Sequence, residues 1–129
     1  MSDIFLTNTL SKKKEKFVPI KDAVVSMYNC GPTVYDYSHI GNLRSYIFAD
    51  ILRRVLEWNK YEVNQIVNIT DIGHLSSDAD DGEDKMTKAL KREGKPMTLV
   101  AMREIADIYF VKFIEDLKYL NIKPANIYP

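Results

Sequence analysis

Cys30 is the only cysteine of the 129-residue chain, and it sits in the run Tyr28-Asn29-Cys30-Gly31-Pro32-Thr33-Val34-Tyr35-Asp36-Tyr37-Ser38-His39-Ile40-Gly41-Asn42. A thiolate is a soft metal ligand and a nucleophile. An imidazole can donate to a phosphate oxygen as negative charge builds on it. His39 stands just before a helical pattern, where the first amides are unpaired and the helix dipole is positive. Gly41 lets a ligand approach the backbone closely. Position alone leaves two readings of His39 open, a phosphate donor and a residue that only caps the turn. A lone cysteine such as Cys30 is more often a small buried hydrophobe than a metal ligand or a nucleophile. Zinc takes three or four protein ligands. The other soft candidates, His39 and His74, have no Cys-x-x-Cys-like spacing to Cys30. A complete zinc site on this chain alone is therefore not expected.

These residues need elements to hold them. Ala23 to Tyr28 is a short apolar run with β-branched residues, which predicts a buried strand. From Gly41 the period changes to that of a helix ending near Trp58-Asn59. Its expected apolar face is the row Leu43, Ile47, Ile51 and Val55, with Phe48, Leu52 and Leu56 beside it. Arg44, Arg53, Arg54 and Glu57 lie mostly off that face. Tyr61 to Val67 again reads as a strand. Strand, helix, strand at this spacing is a βαβ unit with parallel strands and a right-handed crossover. Ligands bind at the carboxyl edge of such a sheet. The Cys30–Asn42 loop and Asn68-Ile69-Thr70-Asp71 both belong at that edge.

The flanks are less regular. Ile4-Phe5-Leu6 predicts a short strand. Lys12-Lys13-Lys14-Glu15-Lys16 reads as a solvated turn, with RNA phosphate contact as the alternative. Phe17-Val18-Pro19-Ile20 is expected to pair back as an edge strand. Gly73 to Gly82 is polar and acidic and reads as a loop. It does not fit an EF-hand, because Gly82 at position six puts Ser77 and Ala79 at positions one and three. A helix is expected from Glu83 to Arg92, stopped at Gly94. Within it, Lys85-Met86-Thr87-Lys88-Ala89 is read as an ordinary helical turn, not a phosphate loop. A long helix is expected from Pro96-Met97-Thr98 through about Leu120, with the row Leu99, Met102, Ala106, Phe110, Phe113, Leu117 and Leu120. Ala125 to Pro129 carries no stop signal.

The chain holds 18 Lys+Arg against 18 Asp+Glu, so net charge does not advertise nucleic-acid binding. An apolar fraction of 46% suffices for one core. A lone cysteine fits a reducing compartment. No apolar run approaches the roughly 18 residues that span a bilayer, and no signal-peptide pattern opens the chain. A cytoplasmic protein without membrane contact is expected.

At Cys30 to Asp36, followed by His39-Ile40-Gly41, the sequence resembles the class I cysteinyl-tRNA synthetases, with their zinc cysteine and His-x-Gly-His signature. Asn68-Ile69-Thr70-Asp71, the Ile4–Ile20 opening and the Met97–Ile122 helix also fit, so the resemblance covers nearly the whole chain. It implies an α/β fold: a Rossmann-like nucleotide-binding half-domain with a parallel βαβ core and a long carboxyl-terminal helix. Residues 1–129 would be the amino-terminal half of the catalytic domain, incomplete by itself. The implied reaction is ATP-dependent formation of cysteinyl-adenylate, with Mg2+ accompanying ATP, and transfer to tRNA(Cys). By resemblance, His39 holds the ATP phosphates and stabilises charge at the α-phosphorus. Gly41, Asn42 and Thr33 join it in binding ATP. Gly31, Thr33 and Thr70 line the amino-acid and nucleotide pocket. Cys30 is one of four Zn2+ ligands, and the zinc binds the L-cysteine thiolate. A soft thiolate–metal bond rejects serine better than a plain pocket can.

Two departures qualify this. The second signature histidine is Asn42 here, whose amide can donate a hydrogen bond but carries no charge. The other zinc ligands, the Lys-Met-Ser-Lys-Ser loop and the anticodon-binding domain of the family are absent from this chain, so the chain alone is expected to be inactive or nearly so. Two other readings stay open: a cysteine-activating ligase of thiol biosynthesis, and a non-catalytic nucleotide- or partner-binding module. Val34 and Tyr37-Ser38-His39 favour the tRNA enzyme. Oligomeric state is not legible.

Overall fold

A computed structural model describes residues 3–71 and 85–129. β1 (Phe5–Asn8) and β2 (Lys13–Lys16) form an antiparallel hairpin. β3 (Val24–Asn29) and β4 (Glu62–Val67) pair in parallel, from Val24↔Glu62 to Asn29↔Val67. α1 (Ile40–Trp58) connects them. α2 (Lys85–Arg92) and α3 (Leu99–Tyr119) follow. The fold is mixed α/β with a long helix near its carboxyl end. Parallel pairing between strands is confined to β3 and β4 among the described residues.

The opening segment differs from expectation. Lys13 to Lys16 is strand β2, not a turn, because its backbone pairs with β1 while its side chains stay in water. Lys12 makes the turn instead, at φ 57°. Phe17 to Ile20 is not a strand. Only Phe17 N–H pairs back, to Ile4 O at 2.7 Å. Pro19 then has no N–H to offer, and Val18 and Ile20 are exposed.

The helix limits hold, but the buried face of α1 is rotated from the expected row. Tyr46, Ala49, Asp50 and Leu56 are buried, whereas Ile47, Phe48, Ile51 and Val55 are exposed. The reason is a polar seam that apolar periodicity does not register. Asp50 Oδ1 accepts Lys123 N–H at 3.0 Å, and its Oδ2 accepts Arg54 Nε at 2.6 Å. Arg53 donates from Nη1 to Pro124 O at 2.7 Å and from Nε to Glu57 at 2.9 Å. Lys123 also donates to Glu57. Buried charges survive when they are paired and hydrogen-bonded, so α1 turns its charged edge toward the segment after α3.

That segment returns to the sheet. Val67 N–H donates to Ile127 O at 3.1 Å and Ile69 N–H to Pro129 O at 2.8 Å, beside a parallel bridge Ile66↔Ile127. Residues 126–129 thus line the outer edge of β4. α3 is capped by Thr98, whose side chain accepts Ala101 N–H. Its buried seam is Ala101, Met102, Ile105, Ala106, Tyr109, Phe113 and Leu117, while Leu99 and Leu120 at the ends of the expected row are exposed. α2 ends where Gly94 takes φ +62° and Lys95 N–H closes on Leu90 O at 2.9 Å. Lys85 to Ala89 is helical with Met86 buried, as an ordinary turn would be. His74, the Gly73–Gly82 acidic loop and the first two residues of the expected Glu83–Arg92 helix lie outside the described residues. Among the described residues, no helix is long and apolar enough to cross a membrane.

Candidate functional site

The site grows from the carboxyl ends of β3 and β4. Beyond Asn29 the two chains keep running together: Thr70 N–H donates to Pro32 O at 3.0 Å, Val34 N–H donates to Thr70 O at 3.0 Å, and Thr33 bridges Thr70. Gly31 makes this possible. A Cβ there would stand 1.8 Å from Asn68 O and 2.9 Å from Asn68 C. Asn68 also holds the turn, accepting Gly31 N–H on Oδ1 at 3.1 Å. Gly31, expected to line a pocket, therefore first permits a backbone contact.

Val34, 2% exposed, pins the following loop into the cluster of α2 and α3. Arg92 clamps the same loop from α2. It donates to Tyr35 O at 3.0 Å, Asp36 Oδ2 at 2.8 Å and Tyr109 Oη at 2.6 Å. Tyr37 packs edge-on against Tyr109. The loop thus delivers His39 at a fixed place.

His39 is the N-cap of α1. Its Nδ1 accepts Gly41 N–H at 3.1 Å, and Asn42 Oδ1 accepts His39 N–H at 3.3 Å. This is a capping box built from His and Asn in place of the usual Ser/Thr and Glu/Gln. An accepting Nδ1 carries no proton, so in the neutral ring the proton sits on Nε2 and faces away from the cap. Asn42, with its oxygen engaged, keeps its Nδ2 donors. Gly41 leaves room for the ring, since a Cβ would lie 2.9 Å from His39 Cε1. Capping and outward donation are thus compatible in one side chain.

A cavity of about 460 Å³ opens between the end of β3 and the first turns of α1, lined by Asn29, Cys30, Gly41, Arg44, Ser45, Tyr46, Phe48 and Ala49. It brings together Cys30 and Gly41 of the expected residues. His39, Asn42, Gly31, Thr33 and Thr70 border the same strand and helix ends but do not line it. Cys30 is exposed. Among the described residues no group of three or more His, Cys, Asp and Glu could hold a metal, so Cys30 does not make a closed zinc site with its described neighbours. Sequence reading placed Asn68 at the strand end without giving it a role, and did not single out Asn29 or Tyr46. A polar residue ending an apolar strand was the available signal for Asn29.

Burial pushes the Tyr46 phenol up to about 12, and the neighbouring Cys30 adds to it. The folded state therefore favours neutral Tyr46 above its ordinary value of 10. That stabilisation is complete below pH 10 and is lost as pH rises toward 12. Urea unfolding at pH 9 and pH 11.5 is expected to show a smaller alkaline loss for Tyr46→Phe than for wild type. Equal losses would assign the alkaline transition to other groups.

The family profile described as "tRNA synthetases class I (C) catalytic domain" matches residues 16–129. The chain is 49% identical over 122 residues to "Cysteine--tRNA ligase" of Treponema denticola, covering 95% of this chain and 24% of that protein. It is 50% identical over 123 residues to "Cysteine--tRNA ligase 1" of Burkholderia lata, covering 95% and 25%. A Thermococcus kodakarensis protein of the same name is 42% identical over 126 residues, covering 98% and 23%. The chain spans about a quarter of the length of these curated relatives.

Proposed function

The chain belongs to the class I (C) tRNA synthetase catalytic-domain family, and from that premise we propose that it is the amino-terminal half of the catalytic domain of a cysteine–tRNA ligase. The β3–α1–β4 unit would then be the first crossover of a Rossmann-like nucleotide fold. In the activation step a carboxylate oxygen of L-cysteine attacks the α-phosphorus of ATP. The bond to the β-phosphate oxygen breaks, and pyrophosphate leaves with Mg2+. The cysteinyl group then passes from the adenylate to the terminal ribose of tRNA(Cys), releasing AMP.

The observation that carries this reading is the His39 cap. Its Nδ1 is spent on Gly41 N–H, which leaves Nε2–H as an outward donor at the positive end of α1. In the proposal, His39 Nε2–H stabilises the charge that develops at the α-phosphate. Gly41 and the Asn42 amide lie beside the phosphates. Thr33 and Thr70, bridged at adjoining strand ends, flank the amino acid and nucleotide, with Gly31 keeping the two strands close. Cys30 supplies one thiolate ligand toward a zinc site completed outside the described residues. That metal, when bound, would prefer the substrate thiolate over a hydroxyl.

Pyrophosphate exchange tests the reading. The complete ligase is expected to exchange pyrophosphate into ATP with cysteine and not with serine, and to charge tRNA(Cys). The 129-residue chain alone is expected to show little exchange. Equal exchange with serine would remove the cysteine assignment. An amino-sugar acceptor in place of tRNA would move the protein to thiol biosynthesis. Stoichiometric zinc on the isolated chain would show that its own residues complete the site.

A further inference from the structure

Gln65 is one of two buried polar side chains of the described residues, 5% exposed, in the middle of β4. Its backbone is already committed, N–H to Asn126 Oδ1 at 2.8 Å and C=O from Asn126 N–H at 2.9 Å. Its side chain bridges two residues. Gln65 Oε1 lies 3.2 Å from Arg53 Nη1, and Gln65 Nε2 lies 2.8 Å from Asn29 Oδ1.

The two ends of a carboxamide have nearly the same shape, so hydrogen-bond partners decide which way it points. Here one partner is unambiguous. A guanidinium has donors only and stays protonated. Arg53 must therefore face an oxygen of Gln65. That turns Gln65 Nε2 inward as a donor, and its partner on Asn29 must be the acceptor Oδ1. The Nδ2 group of Asn29 is then the end left over. It makes no hydrogen bond among the described residues. No buried side-chain nitrogen or oxygen lacks a partner, so this Nδ2 reaches solvent. Asn29 lines the cavity shared with Cys30, Gly41 and Arg44. Arg53 is itself held, by Glu57 and by Pro124 O, so the polarity is imposed from the segment that follows α3.

We propose that Asn29 is a ligand-binding residue that donates from Nδ2 to an anionic oxygen, carboxylate or phosphate, of the molecule held in this cavity, with Gln65 and Arg53 as positioning residues that fix its polarity. The inference rests on the cysteine-activating reading for the identity of that molecule. Arg44 on the same wall gives the cavity a cation of matching sign. The polarity matters because a donor and an acceptor at this point select opposite ligands. Asp at position 29 would keep one oxygen for Gln65 Nε2 and turn the other, charged, toward the ligand.

The test is a side-chain amide titration of the 15N-labelled complete ligase with L-cysteine and, separately, with ATP–Mg2+. The Asn29 NH2 pair is expected to shift with the probe that supplies the oxygen. Cysteine as the effective probe identifies the carboxylate, and ATP identifies the phosphate. Asn29→Asp is expected to weaken that probe about tenfold or more, the usual scale for a hydrogen bond to a charged group. Gln65→Met, which removes the imposed polarity, should weaken it several-fold in wild type and add nothing to Asn29→Asp. Shifts at His39 and Gly41 with an unmoved Asn29 NH2 pair overturn this inference and leave the site reading standing. So does equal affinity of Asn29→Asp. No shift at His39, Gly41 or Asn29 with either probe overturns the site reading and this inference together. The NH2 measurement uses wild-type protein, so it stands even if a variant fails to fold.

Discussion

Gly31→Ala is expected to lower stability by roughly 3 kcal/mol or more, at or beyond the upper range for overpacking a close contact. The added carbon would sit 1.8 Å from the Asn68 carbonyl oxygen, and backbone cannot swing aside as a long side chain can. Relief requires the end of β4 to move from the end of β3. That motion breaks Gly31 N–H to Asn68 Oδ1 and strains the two Thr70 backbone bonds to Pro32 and Val34. Gly94→Ala is the control. Gly94 has φ +62° and open space around its missing Cβ, so alanine there costs only the left-handed conformation, about 1–2 kcal/mol. Thermal melts should separate the two variants by several degrees. A Gly31→Ala melt within about 2 °C of wild type would mean that the strand ends yield freely, and would remove the reason given for glycine here.

The parts of this fold that follow from local pattern were legible in the sequence. The β3–α1–β4 unit shows in a short apolar run, a change of period at Gly41 and a second apolar run. His39 at the helix start was legible for the same reason, since a cap lies where periodicity begins. The buried face of α1 was not. Its position depends on Asp50 and Arg53 finding Lys123 and Pro124, more than 70 residues away. Long-range polar pairing leaves no periodic trace. The same holds for residues 126–129, which line β4 mainly through backbone bonds, with the Asn126 side chain alone accepting Gln65 N–H. Lys13 to Lys16 misled in the opposite direction. A lysine-rich run reads as solvated turn, and it is solvated, but a hairpin strand exposed on both faces asks little of its side chains. Gly31 reads from sequence as a pocket residue, whereas its steric role depends on Asn68 lying against it.

His39→Ala is expected to produce the largest functional loss, and a second substitution at the same position separates its two roles. Alanine removes the acceptor for Gly41 N–H, which costs about 0.5–2 kcal/mol of helix stability for a lost N-cap. It also removes Nε2–H, the donor assigned to the α-phosphate. Loss of one such donor to developing charge typically lowers turnover about 100- to 1,000-fold. Asparagine is among the best N-cap residues, so His39→Asn should recover most of the stability while leaving Nε2–H absent. The expected pattern in the complete ligase is therefore divergent. Both variants lose pyrophosphate exchange to a similar extent, but only His39→Ala melts early. The loss should fall mainly on kcat, because charge at the phosphorus grows in the transition state rather than in bound ATP. Gly41→Ala gives an independent check. Its methyl would press on the His39 ring from 2.9 Å, displacing the imidazole without removing it, so exchange should fall by less than in either His39 variant. If His39→Asn restored exchange together with stability, the histidine would be a cap alone, and the charge at phosphorus would have to be met by another group, with Arg44 and the Asn42 amide the nearest donors in chain order.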